Sequence, residues 1–436
     1  MATFFRDALL VQLDPPRVEA GNLRLADGLI ARVGADVVAD AGDEVVDCGG
    51  AVLMPGLVNG HTHLYSALAA GMPPPPRRPR NFHEILQFIW WRLDRAHTLE
   101  SVEVSGQIGA LVALRCGTTT LIDHHASPNA IEGSLSALEA GIAAVGCRGV
   151  LCYETTCRNR PTEAGEGLAE NERYIRLCQQ RRDGRFAGLV GAHASFTLDD
   201  EALAGCADLA DRLKTGVHIH VAEDPIDEQL TRERYHGRIL DRFGLNGLME
   251  GQHIFAHGTH LSEEDIARIN EARGIVIAHN PRSNMNNGVG YAPVREFENV
   301  MLGTDGIGAD MWNEARTAVF KGNDAGRPLP YSRPLQMLQK SARLVSSFLG
   351  VKVGVLEPGS AADLVLTDYR QATPLTTENL AGHFLYAMGP EYVRHVMIAG
   401  RWCLKDREVI TCDEAVIRGR SVEVARELHE RMVDIS

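Results

Sequence analysis

Eight short apolar runs, each separated from the next by a helix-like stretch, set the strongest limit on what this chain can fold into. They are Leu57–His63, Thr118–His125, Gly149–Glu154, Leu189–Ser195, Gly216–Glu223, His253–Gly258, Ile275–Asn280 and Val300–Asp305. Strands that alternate with helices form parallel βα units. Eight such units close into a (β/α)8 TIM barrel. Seven of the runs end on a polar or ionisable residue, namely His63, His125, Glu154, His193 with Ser195, Glu223, Asn280 and Asp305, and His257 sits at the end of the remaining one. Isolated buried polar groups are costly, and barrel active sites lie at the C-terminal ends of the strands. Polar strand ends all round the barrel therefore predict one shared site.

Both flanks of the barrel read as sheet. Ala8–Leu13 is strand-like, and Asp27-Gly28 is a hairpin turn between Asn22–Leu25 and Leu29–Val33. Ala362–Thr367 and Val393–Gly400 return to the same pattern. The expected organisation is a small β-sandwich built from residues 1–56 and 358–436, beside a barrel over 57–357. The run Pro73–Pro79 reads as a stiff loop, either a spacer or a lid edge over the barrel mouth.

Composition narrows the function classes. A net charge of −13 argues against nucleic-acid or acidic-membrane partners, which need a basic face. Nine cysteines without a CxxC pair read as reduced thiols rather than a disulfide framework. No apolar run is long enough for a signal peptide or a membrane span, so a cytoplasmic protein is expected.

His61-Thr-His63 anchors the chemistry. Residues i and i+2 on a strand face the same way, so both imidazoles enter the barrel mouth together. His218 and His220 share a face likewise. His220 is nearer the strand end and is the candidate ligand, whereas His218 reads as a core histidine. Asp305 offers a carboxylate from the eighth run, the neighbour of the first in a closed barrel. Three imidazoles and one carboxylate suit zinc, with iron as the alternative, and an open position for water. Glu223, three residues after His220, is the candidate proton shuttle. His257 is a candidate partner for the water or an oxyanion, and His193 a candidate substrate contact. No lysine falls on any of the eight runs, which disfavours a lysine-bridged binuclear site. Among the loop residues, Trp90 and Trp91 are candidates to stack on a flat ring, although neighbours on a helix point apart and only one of the two is expected to reach it. Arg158 and Asn284 are further candidates for substrate.

Together these motifs resemble the amidohydrolase superfamily, and within it the cytosine/guanine-deaminase-like and chlorohydrolase-like branch. Met54–His63 resembles the family's opening PG-hydrophobic-N/D-x-H-x-H signature. His220-x-x-Glu223, His279–Asn284, Gly303–Gly306 and Gly359–Leu366 resemble its later segments. Trp90–Arg95, Ile122–Pro128 and Arg282–Asn287 are similar to the SsnA-type aminohydrolases. The resemblance implies His61, His63, His220 and Asp305 as ligands of one divalent ion. It also implies Glu223 and His257 as catalytic, His193 as substrate-proximal, and Asp305 as a second acceptor for the water proton. A homodimer or larger homo-oligomer is a further implication. The expected reaction is hydrolytic deamination of a small nitrogen heterocycle (purine, pterin, pyrimidine or triazine-like) with release of ammonia. The alternative is displacement of chloride, sulfur or an alkylamine, or cyclic-amide opening, at the same mononuclear site.

Overall fold

The computed structural model describes residues 2–435. The N-terminal part supplies β1 (Thr3–Leu13), β2 (Pro16–Ala26), β3 (Leu29–Gly34), β4 (Glu44–Asp47) and β5 (Val52–Pro55). The central part supplies β6 (Leu57–Thr62), β7 (Thr118–His125), β8 (Arg148–Thr155), β9 (Phe186–Gly188), β10 (Val190–Ala194), β11 (Val217–Val221), β12 (His253–His257), β13 (Ile275–His279) and β14 (Val300–Leu302). The C-terminal part supplies β15 (Leu364–Thr367), β16 (Val393–Ile398), β17 (Arg401–Lys405) and β18 (Glu408–Val409).

The eight expected runs coincide with the parallel strands β6, β7, β8, β10, β11, β12, β13 and β14, hydrogen-bonded in that order. The circle closes between β6 and the segment after β14. Thr62 and Asp305 form a parallel bridge, and His61 O accepts from the Thr304 and Asp305 N–H groups at 2.8 and 3.0 Å. Glycine makes this seam possible. A Cβ on Gly303 would lie 2.4 Å from Asn280 Oδ1 and 2.8 Å from the His61 nitrogen, and one on Gly60 would lie 2.7 Å from Leu302 O. The strands that bring His61 and Asp305 together are thus the ones that close the barrel.

Barrel contents are sorted by depth. Val58, Ile122, Val150, Ile254, Val276 and Met301 fill the lower interior together with Val345 and Leu349 from the helix Arg333–Leu349. That apolar floor leaves the polar residues only the C-terminal mouth.

The flanking segments form one connected sheet in the order β18-β17-β16-β15-β5-β1-β2-β3, with β4 also paired to β1. Phe5 on β1 meets Trp402 on β17 with ring centroids 5.8 Å apart, although three strands intervene along the ladder. The sheet therefore curls over its own core of Phe5, Leu10, Leu23, Ile30, Leu53 and Met397, as a small two-layered unit. Arg148 at the foot of β8 locks it to the barrel by a bidentate pair with Asp363 at 2.6 and 2.9 Å. Asp363 also accepts the Ala399 N–H.

The C-terminal assignment needs one correction. Residues 414–434 form a helix, and it leaves the sheet to pack on the helices Leu99–Arg115 and Trp91–Ala96. Its tail is gripped by Arg92, which donates to Met432 O and Ile435 O at 2.6 and 2.9 Å. The whole of 358–436 was expected to belong to the sandwich, but the polar heptad-like pattern of 414–434 suits a helix covering barrel helices. No helix among the described residues is long and apolar enough to cross a membrane.

Removing one partner of a fully buried pair leaves an uncompensated charge. Arg148→Met is expected to lower unfolding free energy by about 3–5 kcal/mol, measured by urea denaturation; an unchanged midpoint would show that the pair does not hold the two units together.

Candidate active site

The first, fifth and eighth strand ends converge. His63 Nε2 stands 3.1 Å from His220 Nε2 and 3.3 Å from Asp305 Oδ1, and His61 Nε2 stands 4.0 Å from the same carboxylate oxygen. Four ligand atoms about 2.0–2.1 Å from a tetrahedral ion lie about 3.3–3.4 Å from one another. The observed spacings bracket that value.

The outer nitrogens explain which way each ring faces. His63 Nδ1 donates to His124 O at 2.6 Å and His220 Nδ1 to His193 O at 2.9 Å. His61 Nδ1 pairs with His218 Nε2 at 2.8 Å. Each of these bonds directs the Nε2 lone pair inward, the arrangement by which proteins orient metal-binding imidazoles. His61 Nε2 is buried with no hydrogen-bond partner. Burial and the surrounding imidazoles push His61 and His220 well below the ordinary histidine range, so both are neutral. Inward-facing neutral acceptors at these distances repel one another unless a cation lies among them. The donor set fits a divalent metal ion, and the strand sequences carry no lysine to bridge a second one.

Beside this cluster lie Glu223 and His257. His257 Nε2, also buried and unpartnered, is 3.4 Å from Glu223 Oε2 and 3.7 Å from Asp305 Oδ2. Its Nδ1 donates to Asn284 Oδ1 at 2.9 Å. Glu223 lies just beyond β11, with its N–H donating to Asp227 Oδ2 at 2.8 Å and its Oε1 3.4 Å from Asn287 Nδ2. Burial, with Asp305 and Asp227 adding to it, raises the Glu223 carboxyl well above the usual carboxylate range. Burial would raise Asp305 too, but His63, His257 and hydrogen bonds from Ser283 Oγ and the Gly306 N–H hold it below its usual value. Ala222, His257 and Asp305 all have positive φ, at 47°, 74° and 54°. Non-glycine residues rarely adopt this conformation, and it turns the chain abruptly at the strand ends so that consecutive side chains meet one cavity.

That cavity, of about 140 Å³, is lined by His63, His193, His220, Glu223 and Asp305 on the polar side and by Phe82, Leu86, Trp90, Trp91 and Phe196 on the apolar side. Both tryptophans border it, where only one was expected. A π-helical turn over Leu86–Trp90 precedes the helix from Trp91, and the extra residue in that turn shifts the register so that neighbours share a wall. The proline run contributes nothing to this lining, while the short helix that follows it supplies Phe82 and the π-helical turn after that supplies Leu86.

Two sequence candidates occupy other places. Arg158 is not in the lining: its guanidinium is buried between Glu154, at 2.6 Å, and Asp94, and lies 5.1 Å from the Trp91 ring. Asn284 sits behind His257 as its hydrogen-bond acceptor. Sequence reasoning passed over His124, which faces the interior where the neighbouring His125 had marked the strand end. His124 Nε2 donates to Ala192 O and His218 O, and its Nδ1 lies 3.2 Å from Glu154 Oε2. Ser283 and Asp227 were missed as well; both hold a catalytic candidate through a single hydrogen bond, a role that leaves no spacing signal.

Residues 52–403 match the family model described as Amidohydrolase family. A 5'-deoxyadenosine deaminase of Methanosarcina mazei is 29% identical over 98% of this chain and 98% of its own length. A 5-methylthioadenosine/S-adenosylhomocysteine deaminase of Moorella thermoacetica is 30% identical over 98% of each. Among solved structures, an adenosine deaminase from Xanthomonas campestris with bound zinc superposes with a TM-score of 0.84 at 25% identity, covering 99% of each chain.

His61→Ala removes an inward lone pair and should weaken metal binding by more than about 100-fold, whereas His218→Leu, one shell out, should cost about 10–100-fold. Metal content by mass spectrometry after dialysis against graded chelator measures both; full retention by the His61 variant would break the assignment of this cluster.

Proposed function

This chain belongs to the amidohydrolase family, and from that footing we propose that it is a zinc-dependent aminohydrolase releasing ammonia from a small nitrogen heterocycle. In this reading His61, His63, His220 and Asp305 hold one zinc ion. The ion, when bound, supplies Lewis acidity that makes hydroxide available near neutral pH.

The remaining steps belong to the chain's own groups. The flat ring enters between the tryptophan wall and the imidazoles, with its amine-bearing carbon toward Glu223 and His257. His257 presents an Nε2 acceptor that orients the attacking water, because its Nδ1–H is directed at Asn284. Asp305 Oδ2, 3.7 Å from that nitrogen, is the second acceptor for the water proton. Glu223 carries a proton to the leaving nitrogen. Amide ion is a very poor leaving group, so the C–N bond breaks only as the nitrogen is protonated, and a carboxyl with a raised pKa is suited to keep that proton available. Phe82, Trp90, Trp91 and Phe196 limit bulk water in the cavity.

The observation that carries this reading is the buried Glu223 carboxylate oxygen 3.4 Å from His257 Nε2, beside a cluster of inward imidazole nitrogens. The deaminase names of the relatives support the same bond and leaving group. Glu223→Gln is expected to keep its zinc and lose at least about 100-fold in kcat, followed by ammonia release from aminated purines, pterins, pyrimidines and triazines. Release of chloride, thiol or alkylamine in place of ammonia would overturn the deaminase reading. Zinc removal with a chelator should abolish turnover, and zinc addition should restore it.

A further inference from the structure

Tyr65 lines the cavity and has no part in the chemistry described above. It stands two residues beyond His63, in the short 3-10 helix Leu64–Leu68 that follows β6, so the chain carries it past the strand end to the barrel mouth. Its ring is buried and held edge-on by three imidazoles, with the centroids of His63, His97 and His125 at 5.4, 6.0 and 6.4 Å. His97 Nε2 also donates to Tyr65 O at 3.0 Å, which fixes the backbone from which the ring projects.

The phenol is left without a partner. Tyr65, Ser66 and Ser283 bring hydroxyls to the cavity lining. Ser66 Oγ donates to His63 O or Gly306 O, at 2.7 and 2.8 Å, and Ser283 Oγ donates to Asp305 Oδ2 at 2.7 Å. Tyr65 Oη has no hydrogen-bond partner among the described residues. The charges that act on it are those of Glu154, Asp94, Arg158 and Asp305, so the hydroxyl lies on the cavity side of the ring. Glu154 does not take it as a donor. Arg158 donates to Glu154 Oε1 at 2.6 Å, and His124 Nδ1 stands 3.2 Å from Oε2. A phenol keeps its proton at neutral pH, so a rigidly held O–H donor faces the space for a ligand.

Its place picks one edge of the substrate. Glu154 groups with His63, His124 and His220, whereas Glu223 groups with His257 and Asp305. A ring whose amine-bearing carbon meets Glu223 and His257 turns its opposite edge toward Glu154 and Tyr65. We infer that Tyr65 is a substrate-binding residue that sets specificity: its hydroxyl donates to an acceptor on that far edge, a carbonyl oxygen or an unprotonated ring nitrogen, and disfavours rings that carry C–H there. The inference rests on the heterocycle reading above, which it deepens, and its binding test does not depend on the leaving group. The contact is made away from the reacting carbon, so it is equally strong before and during the reaction and acts on KM rather than kcat.

The test uses zinc-loaded full-length enzyme and the aminated purine, pterin, pyrimidine or triazine that it deaminates fastest. That ring is compared with analogues in which each acceptor in turn becomes C–H, a deaza analogue for a ring nitrogen and a deoxo analogue for a carbonyl. Tyr65→Phe keeps the ring contacts and removes only the hydroxyl. It should raise KM for the parent ring about 10-fold and leave kcat within about 2-fold. One analogue should show a KM about 10-fold above the parent's with wild type, and no further rise with the variant, because the same contact is already lost. A merely structural role would weaken the parent and every analogue alike. An unchanged KM for the parent, or an equal loss on all the rings, would overturn the inference while leaving deamination intact. Should no ring release ammonia, deamination falls, and calorimetric Kd values for the same rings replace KM in the comparison. A wild type that binds none of them would overturn the inference as well.

Discussion

Everything at the barrel mouth depends on where the outer nitrogens of four imidazoles make their bonds. His63, His220 and His257 donate from Nδ1 to fixed oxygen acceptors, and His61 pairs through Nδ1 with His218. Once those bonds are made, the rings have no freedom to turn their lone pairs away from one another. His63 and His220 Nε2 then face each other at 3.1 Å in a buried space. Such crowding of acceptors is unfavourable by itself and becomes favourable around a cation, so the second layer of hydrogen bonds stores the instruction to bind metal. Left-handed backbone at Ala222, His257 and Asp305 belongs to the same bargain, at roughly 1–3 kcal/mol for each strained residue.

The rest of the fold supports that arrangement. An apolar floor under the strands keeps polar groups at one end, and the glycine seam at Gly60 and Gly303 lets β6 approach β14 closely enough to bring His61 Nε2 to 4.0 Å from Asp305 Oδ1. The wall of the cavity is braced from further away. Arg92, one residue beyond Trp91, holds the end of the C-terminal helix, and Arg431 on that helix donates to Ala96 O at 2.8 Å. A segment remote in sequence thereby fixes the tryptophan wall.

Most of the barrel was legible because a strand's periodicity and its polar last residue survive as sequence signals. His61, His63, His220, Glu223, His257 and Asp305 were singled out that way, and the fold brings their side chains to one end of the barrel. What escaped was whatever depends on parity or on a partner far along the chain. His124 rather than His125 faces inward, a distinction of one residue that alternation cannot fix when every position on the strand is buried. Arg158 was read as a ligand for substrate because nothing local reveals that Asp94, 64 positions earlier, would enclose it. Asn284 was placed against substrate for a similar reason, since its bond to His257 spans 27 positions. The two tryptophans share a wall only because a π-helical turn breaks the ordinary helix register.

The cavity holds two carboxylates whose surroundings drive them apart. Glu223 has burial and the nearby Asp305 and Asp227 raising its pKa, and no arginine or lysine among the causes acting on it. Glu154 is just as buried, and burial alone would raise it, but His193, Arg158 and His124 outweigh that and hold it well below its usual value. One is therefore suited to carry a proton and the other to accept a hydrogen bond without taking the proton. Identical functional groups acquire opposite roles in this way whenever their environments separate their proton affinities. Exchanging the two roles would require moving Arg158, because it alone among Glu154's partners keeps its charge at every pH the protein meets. The buried pair with Asp94 on the far side of that guanidinium is what keeps it in place.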